Sequence, residues 1–128
     1  MRVLLDTHVF IWLHVEPDRL KAHLRLLHDL DNDLLVSAVV PWEIAIKHER
    51  KLLDLPEPPS VFFPARMSAI KARPVPIEQS HALAVASLPP IHRDPFDRML
   101  IAQAKQLGVP IMTADPAIAA YPVETLFV

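Results

Sequence analysis

Five acidic residues stand where a carboxylate can do chemistry. Asp6 ends the apolar run Arg2-Val3-Leu4-Leu5, and Asp115 follows Ile111-Met112-Thr113-Ala114, so each sits at the carboxyl end of a predicted strand. Glu43 lies near the start of a helix that follows a third such run, Asp33-Leu34-Leu35-Val36. Asp94 and Asp97 open a further helix, and their i, i+3 spacing puts them on one face. Open parallel sheets place their ligand sites beyond the carboxyl ends of the strands, so these acids are expected on one rim. Carboxylates gathered there repel one another, and a hard divalent cation that prefers oxygen ligands, Mg²⁺ or Mn²⁺, resolves the repulsion. Such a cation activates water and offsets charge on a phosphoryl group, which is the chemistry of a nuclease or a phosphatase.

Taken alone, each acid has a plainer reading. Asp6 could cap the helix that follows it, and Asp115 could cap one beginning at Pro116. Glu43 is spaced to pair with Lys47 at i, i+4 as an ordinary surface bridge. Asp94 resembles a helix cap with Asp97 at the third helical position, and Asp94 is also spaced to pair with Arg98. The metal-site reading rests on the set, not on any member. The seven histidines show no paired ligand spacing; His92, near Asp94, is a candidate phosphate contact. Trp42, beside Glu43, reads as a core or interface aromatic.

The elements that must position these residues follow from apolar spacing and punctuation. Short buried strands are predicted at 2–5, 33–36, 73–77, 110–113 and 123–127, with helices at 7–14, 17–30, around 42–47, through Arg66 and Ile70, at 81–87 and from Asp94-Pro95 to Gln106. Leu20, Leu24, Leu27 and Leu30 recur at helical spacing in the second helix. Ser37 is a candidate cap, Pro41 fits a first helical turn, and Gly108 suits a left-handed helix terminus. Short apolar strands alternating with helices imply an α/β fold with a mainly parallel sheet.

With 128 residues, 52% of them hydrophobic, the chain suits one compact domain spanning 1–128. The absence of cysteine excludes disulfides and thiolate metal sites. No run is long enough to span a bilayer, and Asp6 falls where a signal peptide would stay apolar, so a soluble cytoplasmic protein with no membrane partner is expected. A net charge of −2 offers nucleic acid no general attraction. A polyanion must be held by a local patch or by bound cations. Fourteen prolines against one glycine mean that turns are made mostly with proline.

The strings Leu4-Leu5-Asp6-Thr7-His8, Trp42-Glu43-Ile44-Ala45-Ile46-Lys47, His92-Arg93-Asp94-Pro95-Phe96-Asp97-Arg98, Ile101-Ala102-Gln103-Ala104 and Met112-Thr113-Ala114-Asp115 occur in that order. As an ordered set covering nearly the whole chain, they resemble the PIN-domain toxins of the VapC type. The resemblance implies a three-layer α/β/α sandwich around a central parallel sheet. It implies Mg²⁺- or Mn²⁺-dependent endonucleolytic cleavage of RNA, leaving 5′-phosphate and 3′-hydroxyl ends. Asp6, Glu43, Asp97 and Asp115 match the family's acids and are the expected catalytic and metal-binding residues, with Asp94 as an extra acid. Thr7 and Thr113 look like hydroxyls that hold those carboxylates. A homodimer neutralised by a small antitoxin is also implied. Lys47, Arg50, Lys51, Arg93 and Arg98 are candidates for holding the RNA backbone. One departure stands out: similar sequences carry glycine before a Lys-Leu pair, where this chain has Arg50 before Lys51-Leu52.

Three other readings fit the sequence less well. A phospho-receiver domain would need an acceptor Asp after its middle strand and a Lys after its last one, and neither is present. A haloacid-dehalogenase-type phosphatase would want an acid two residues after Asp6, where His8 stands. A PIN-like module that binds RNA or a partner without cutting is opposed by the full set of acids.

Overall fold

The computed structural model describes residues 1–128. Its elements run β1 (Arg2–Leu5), α1 (Thr7–Val15), a 3₁₀ stretch (Pro17–His23), α2 (Leu24–His28), β2 (Asp33–Ser37), α3 (Val39–Glu49), α4 (Pro59–Ala69), β3 (Arg73–Val75), α5 (Gln79–Ala84), a short 3₁₀ turn (Val85–Ser87), α6 (Pro95–Leu107), β4 (Ile111–Thr113), α7 (Pro116–Ala119) and β5 (Thr125–Phe127). The five strands are all parallel, in the order β3-β2-β1-β4-β5. This is the α/β sheet expected from the sequence.

Period-two alternation sorts the strand residues onto two faces. Val3, Leu5, Leu34, Val36 and Met112 join one core with Phe10 of α1, Leu27 of α2, Ile44 of α3 and Phe62 of α4. Leu4, Leu35 and Ile111 face a second core with Leu100, Ile101 and Ala104 of α6 and Ile118 of α7. Helices therefore cover both faces, giving three layers. Helix α3 contributes Val40 and Ile44 to the first core and Val39 to the second, so it closes the sheet's carboxyl edge.

The chain builds β1, β2 and β3 outward in one direction, then β4 and β5 in the other. The order reverses between β1 and β4, and a crevice opens there beyond the strand ends. Register sets what faces that crevice. Leu4 pairs with Ile111 and Leu5 with Met112, so Asp6 falls beside Thr113.

The predicted helix over 17–30 is not continuous. Pro17 starts a 3₁₀ stretch in which Leu20, at φ −110° and ψ 17°, turns its side chain into the core. The α-helical part ends at His28, where Asp29 accepts the Asp31 N–H at 2.9 Å in an Asx turn and Leu30 is left exposed. The connection after α3 does not put Arg50 in the left-handed region. Arg50 keeps an ordinary backbone at φ −83°, and the left-handed residue is Lys51, at φ 59°.

Candidate metal centre and active site

Asp6 both caps a helix and faces the crevice. Its Oδ1 accepts the Val9 N–H at 2.8 Å, capping α1. Its Oδ2 accepts the Thr113 hydroxyl, which in turn accepts the Asp115 N–H at 3.0 Å. One hydroxyl thus ties the acid after β1 to the acid after β4. Asp6 is only 3% exposed. Burial raises its pKa above the ordinary carboxylate value, against the Thr113 and Val9 hydrogen bonds that lower it, and the charge of Glu43 raises it further.

Glu43 projects from the second turn of α3 and is 2% exposed. Its Oε1 accepts the Thr7 hydroxyl at 2.5 Å, and its Oε2 accepts Lys47 Nζ at 2.5 Å. The Glu43–Lys47 pair expected on the surface is therefore half sunk, with one partner buried and the other 31% exposed. Burial alone would lower the Lys47 pKa. The hydrogen bond and charge of Glu43, with the charges of Asp94 and Asp97, outweigh it and raise the pKa.

Asp94 caps α6, its Oδ1 accepting the N–H groups of Phe96 (2.9 Å) and Asp97 (3.1 Å). That cap presents Asp97 to the crevice from the first turn. Burial, followed by the charges of Asp94, Glu43 and Asp115, pushes the Asp97 pKa up to about 7, although a hydrogen bond with His92 opposes the rise. Asp115 caps α7 through the Ala117 N–H at 2.9 Å. Ligand atoms of His92, Asp97 and Asp115 all lie within 4.8 Å of one another. His92 Nε2 is 3.1 Å from Asp97 Oδ2, and its Nδ1 is 2.7 Å from the Tyr121 hydroxyl. With Tyr121 donating to Nδ1, the Nε2–H donates to Asp97.

Two layers result. Asp97, Asp115 and His92 form the outer cluster, and Asp6 and Glu43 lie deeper, each fixed by a threonine. The layers are coupled by charge, since Glu43 raises both Asp6 and Asp97. Five carboxylates meet with one lysine among them. Carboxylate oxygen donors, short of positive charge, suit a hard divalent cation.

Of the other sequence candidates, Arg50, Lys51 and Arg93 are exposed. Arg98 is placed differently from a backbone-binding cation. Its guanidinium donates to the carbonyls of Pro89 (2.9 Å) and Val85 (3.2 Å) and to the Tyr121 hydroxyl (2.9 Å), so it ties down the loop that carries His92. The spacing that suggested an Asp94–Arg98 pair is not used. Trp42 is half exposed and packs edge-on against Phe96, centroids 4.9 Å apart. Sequence reasoning missed His92 as a member of the acidic cluster. The only signal was its place five residues before Asp97.

The family model described as PIN domain matches residues 3–124. Ribonuclease VapC22 of Mycobacterium tuberculosis (strain ATCC 25618 / H37Rv) is 32% identical over 114 residues, covering 88% of this chain and 86% of that protein. Among solved structures, a chain of VapBC2 from Rickettsia felis bound to a DNA fragment from its promoter aligns with a TM-score of 0.75 at 14% identity, over 99% of this chain and 98% of that one. FitAcB from Neisseria gonorrhoeae aligns with a TM-score of 0.69 at 23% identity, over 98% and 96% of the two chains. At these identities the two structures speak to the fold, and both share it.

Proposed function

The chain belongs to the PIN-domain family, and we propose that it is a metal-dependent endoribonuclease acting as the toxin of a toxin–antitoxin pair. The observation that carries this reading is the meeting of Asp6, Glu43, Asp97 and Asp115, from four separate elements, at the point where the strand order reverses. The name of the VapC22 relative, a ribonuclease, supports RNA as substrate. The VapBC complexes among the fold neighbours support a small protein antitoxin. In this reading the protein is cytoplasmic; no helix is long and apolar enough to cross a membrane.

Asp97 and Asp115, with Asp6 and Glu43 behind them, would hold Mg²⁺ or Mn²⁺. A cation bound there supplies an acidified water and offsets charge on the phosphoryl oxygens. The chain's own contribution is placement. Thr113 fixes Asp6 and the start of α7 together, and Thr7 and Lys47 fix the two oxygens of Glu43. His92 holds Asp97 Oδ2, and Arg98 and Tyr121 hold His92. Lys47, Arg50, Lys51 and Arg93 would carry the RNA backbone. Water adds at phosphorus and the P–O3′ bond breaks, leaving a 5′-phosphate and a 3′-hydroxyl. The trough between α1, α2 and α4, about 290 Å³ and lined by Leu13, Leu27, Leu30 and Ile70, offers apolar surface to the antitoxin. Exposed Leu52 and Leu83 leave further apolar surface for a second copy.

The test is cleavage of 5′-labelled RNA with Mg²⁺, with Mn²⁺ and with EDTA. Cleavage should need a cation and should fall by several orders of magnitude in Asp6→Asn, while that variant stays folded. Cation-independent cleavage, or normal cutting by Asp6→Asn, would sink the reading.

A further inference from the structure

A concavity of about 310 Å³ opens where α1 meets the β4–α7 turn. Asp6 and Asp115 lie along it, and its remaining walls are His8 and Trp12 from α1 with Ala114 and Pro116 from the turn. His8 and Trp12 are four residues apart, so they share a helix face. Their rings stand 5.8 Å apart at 50°. His8 is exposed and Trp12 half-buried. The Arg19 guanidinium lies 4.8 Å from the Trp12 ring centroid, held by Glu16 at 2.5 Å, and does not line the cavity. The indole is thus braced from outside the hollow and presents aromatic surface within it.

This lining is unlike that of the acidic cluster. Two carboxylates shared with the proposed cation site pass directly into an aromatic wall, and the volume is at the lower end for a small-molecule pocket. Single-stranded RNA offers such a wall a flat base a short distance from its phosphate, and proteins hold unpaired bases by stacking them on aromatic side chains. Trp42, the other indole, is half exposed and packs edge-on against Phe96.

We propose that this cavity is a base-binding subsite, in which Trp12 stacks the base of a nucleotide flanking the scissile phosphate and His8 borders its edge. The proposal rests on the RNA-cleaving reading above. It makes Trp12 a specificity-determining residue that biases which sequences are cut.

Fluorescence tests it independently of cleavage. The chain has two tryptophans, so Trp42→Phe leaves Trp12 as the reporter. In Mg²⁺ buffer, 5′-mononucleotides carry no diester to cleave, and each should quench Trp12 saturably, with unequal affinity among the four bases. Ribose 5-phosphate, which lacks a base, should not. In a cleavage assay Trp12→Ala should raise KM for short RNA roughly 10- to 100-fold, with kcat changed far less, and should flatten the base preference. Trp12→Phe, which keeps a ring and protects against a trivial folding defect, should recover most of the loss. Equal responses to ribose 5-phosphate and mononucleotides overturn the proposal. So does a Trp12→Ala protein with unchanged KM and unchanged cut sites. If base-dependent quenching occurs but no condition yields RNA cleavage, the subsite stands and the nuclease reading falls. Cleavage without base-dependent quenching gives the opposite result.

Discussion

Replacing Asp97 with Asn removes a carboxyl that the fold holds under electrostatic pressure, and the consequence is a pH-dependent gain in stability. In the metal-free protein, burial and the charges of Asp94, Glu43 and Asp115 move Asp97 from the ordinary 3.8 to about 7. Below pH 3.8 the carboxyl is protonated in folded and unfolded chains alike, so its contribution to stability is fully present. As pH rises toward 7 the unfolded chain releases the proton while the folded chain keeps it, and that contribution is lost. At about 1.4 kcal/mol per decade the ceiling is about 4 kcal/mol, and with solvent screening and sharing of charge across the cluster we expect about 2–3 kcal/mol. The amide of Asp97→Asn can still accept from His92 Nε2, so the variant keeps that contact without the titration. Urea unfolding in EDTA at half-unit steps from pH 4.5 to 8.5 measures the difference. The variant should lie within about 1 kcal/mol of the parent at pH 4.5 and exceed it by the stated amount above pH 7.5. Adding Mg²⁺ should reverse the order, since cation binding stabilises the folded parent more. A difference that stays flat with pH, or one that favours the parent in EDTA at pH 8, would refute the claim that burial and the neighbouring carboxylates hold the Asp97 pKa up.

Cation binding should release protons near neutrality, because Asp97 must ionise to serve as a ligand; calorimetry in buffers of differing ionisation enthalpy should show Mg²⁺ affinity rising between pH 6 and 8. Thr113→Val should cost about 2 kcal/mol of stability, since it strands a buried carboxylate oxygen of Asp6 and the Asp115 N–H; chemical denaturation in EDTA tests this, and a neutral result would mean the shared hydroxyl is dispensable. Arg93→Met should lower the salt dependence of RNA binding by about 0.7 in log–log slope. Arg98→Met should instead leave that slope alone and lower stability by about 2–4 kcal/mol through lost hydrogen bonds from a charged donor.

How far the sequence disclosed the site depended on whether the needed information was local. Asp6 and Asp115 were legible because an apolar run followed by an acid marks a strand end without any knowledge of partners. Asp94 was legible because Asp-Pro opens a helix by local rules. Glu43 was half legible: its i, i+4 spacing from Lys47 gave the pair, but burial between α1, α3 and α6 depends on tertiary packing, and it turns a weak surface bridge into a fixed internal one. Arg98 was misplaced because nothing in the string shows the carbonyls of Val85 and Pro89 folding around it. His92 lies in an irregular segment flanked by prolines, where no period ties it to Asp97. Trp12 occupies an apolar helix position like any core residue, and only the turn after β4 makes a cavity beside it. The break at Leu20 was hidden for the opposite reason: leucine spacing was helical, and a tertiary demand for burial overrode it.

The hydroxyl bond between Thr113 and Asp6 joins residues 107 positions apart, and this bears on how the protein is made. β1, the central strand, leaves the ribosome long before its neighbour β4 and the acid beyond it. Every carboxylate except Asp115 can be translated without the switch-point crevice existing, because β4 forms one wall of it. Non-local parallel pairing is also slow to form. The crevice therefore cannot form until residues 111–115 have emerged and docked. For a nuclease of the kind proposed, a nascent chain still short of β4 has no means to cut the message that encodes it.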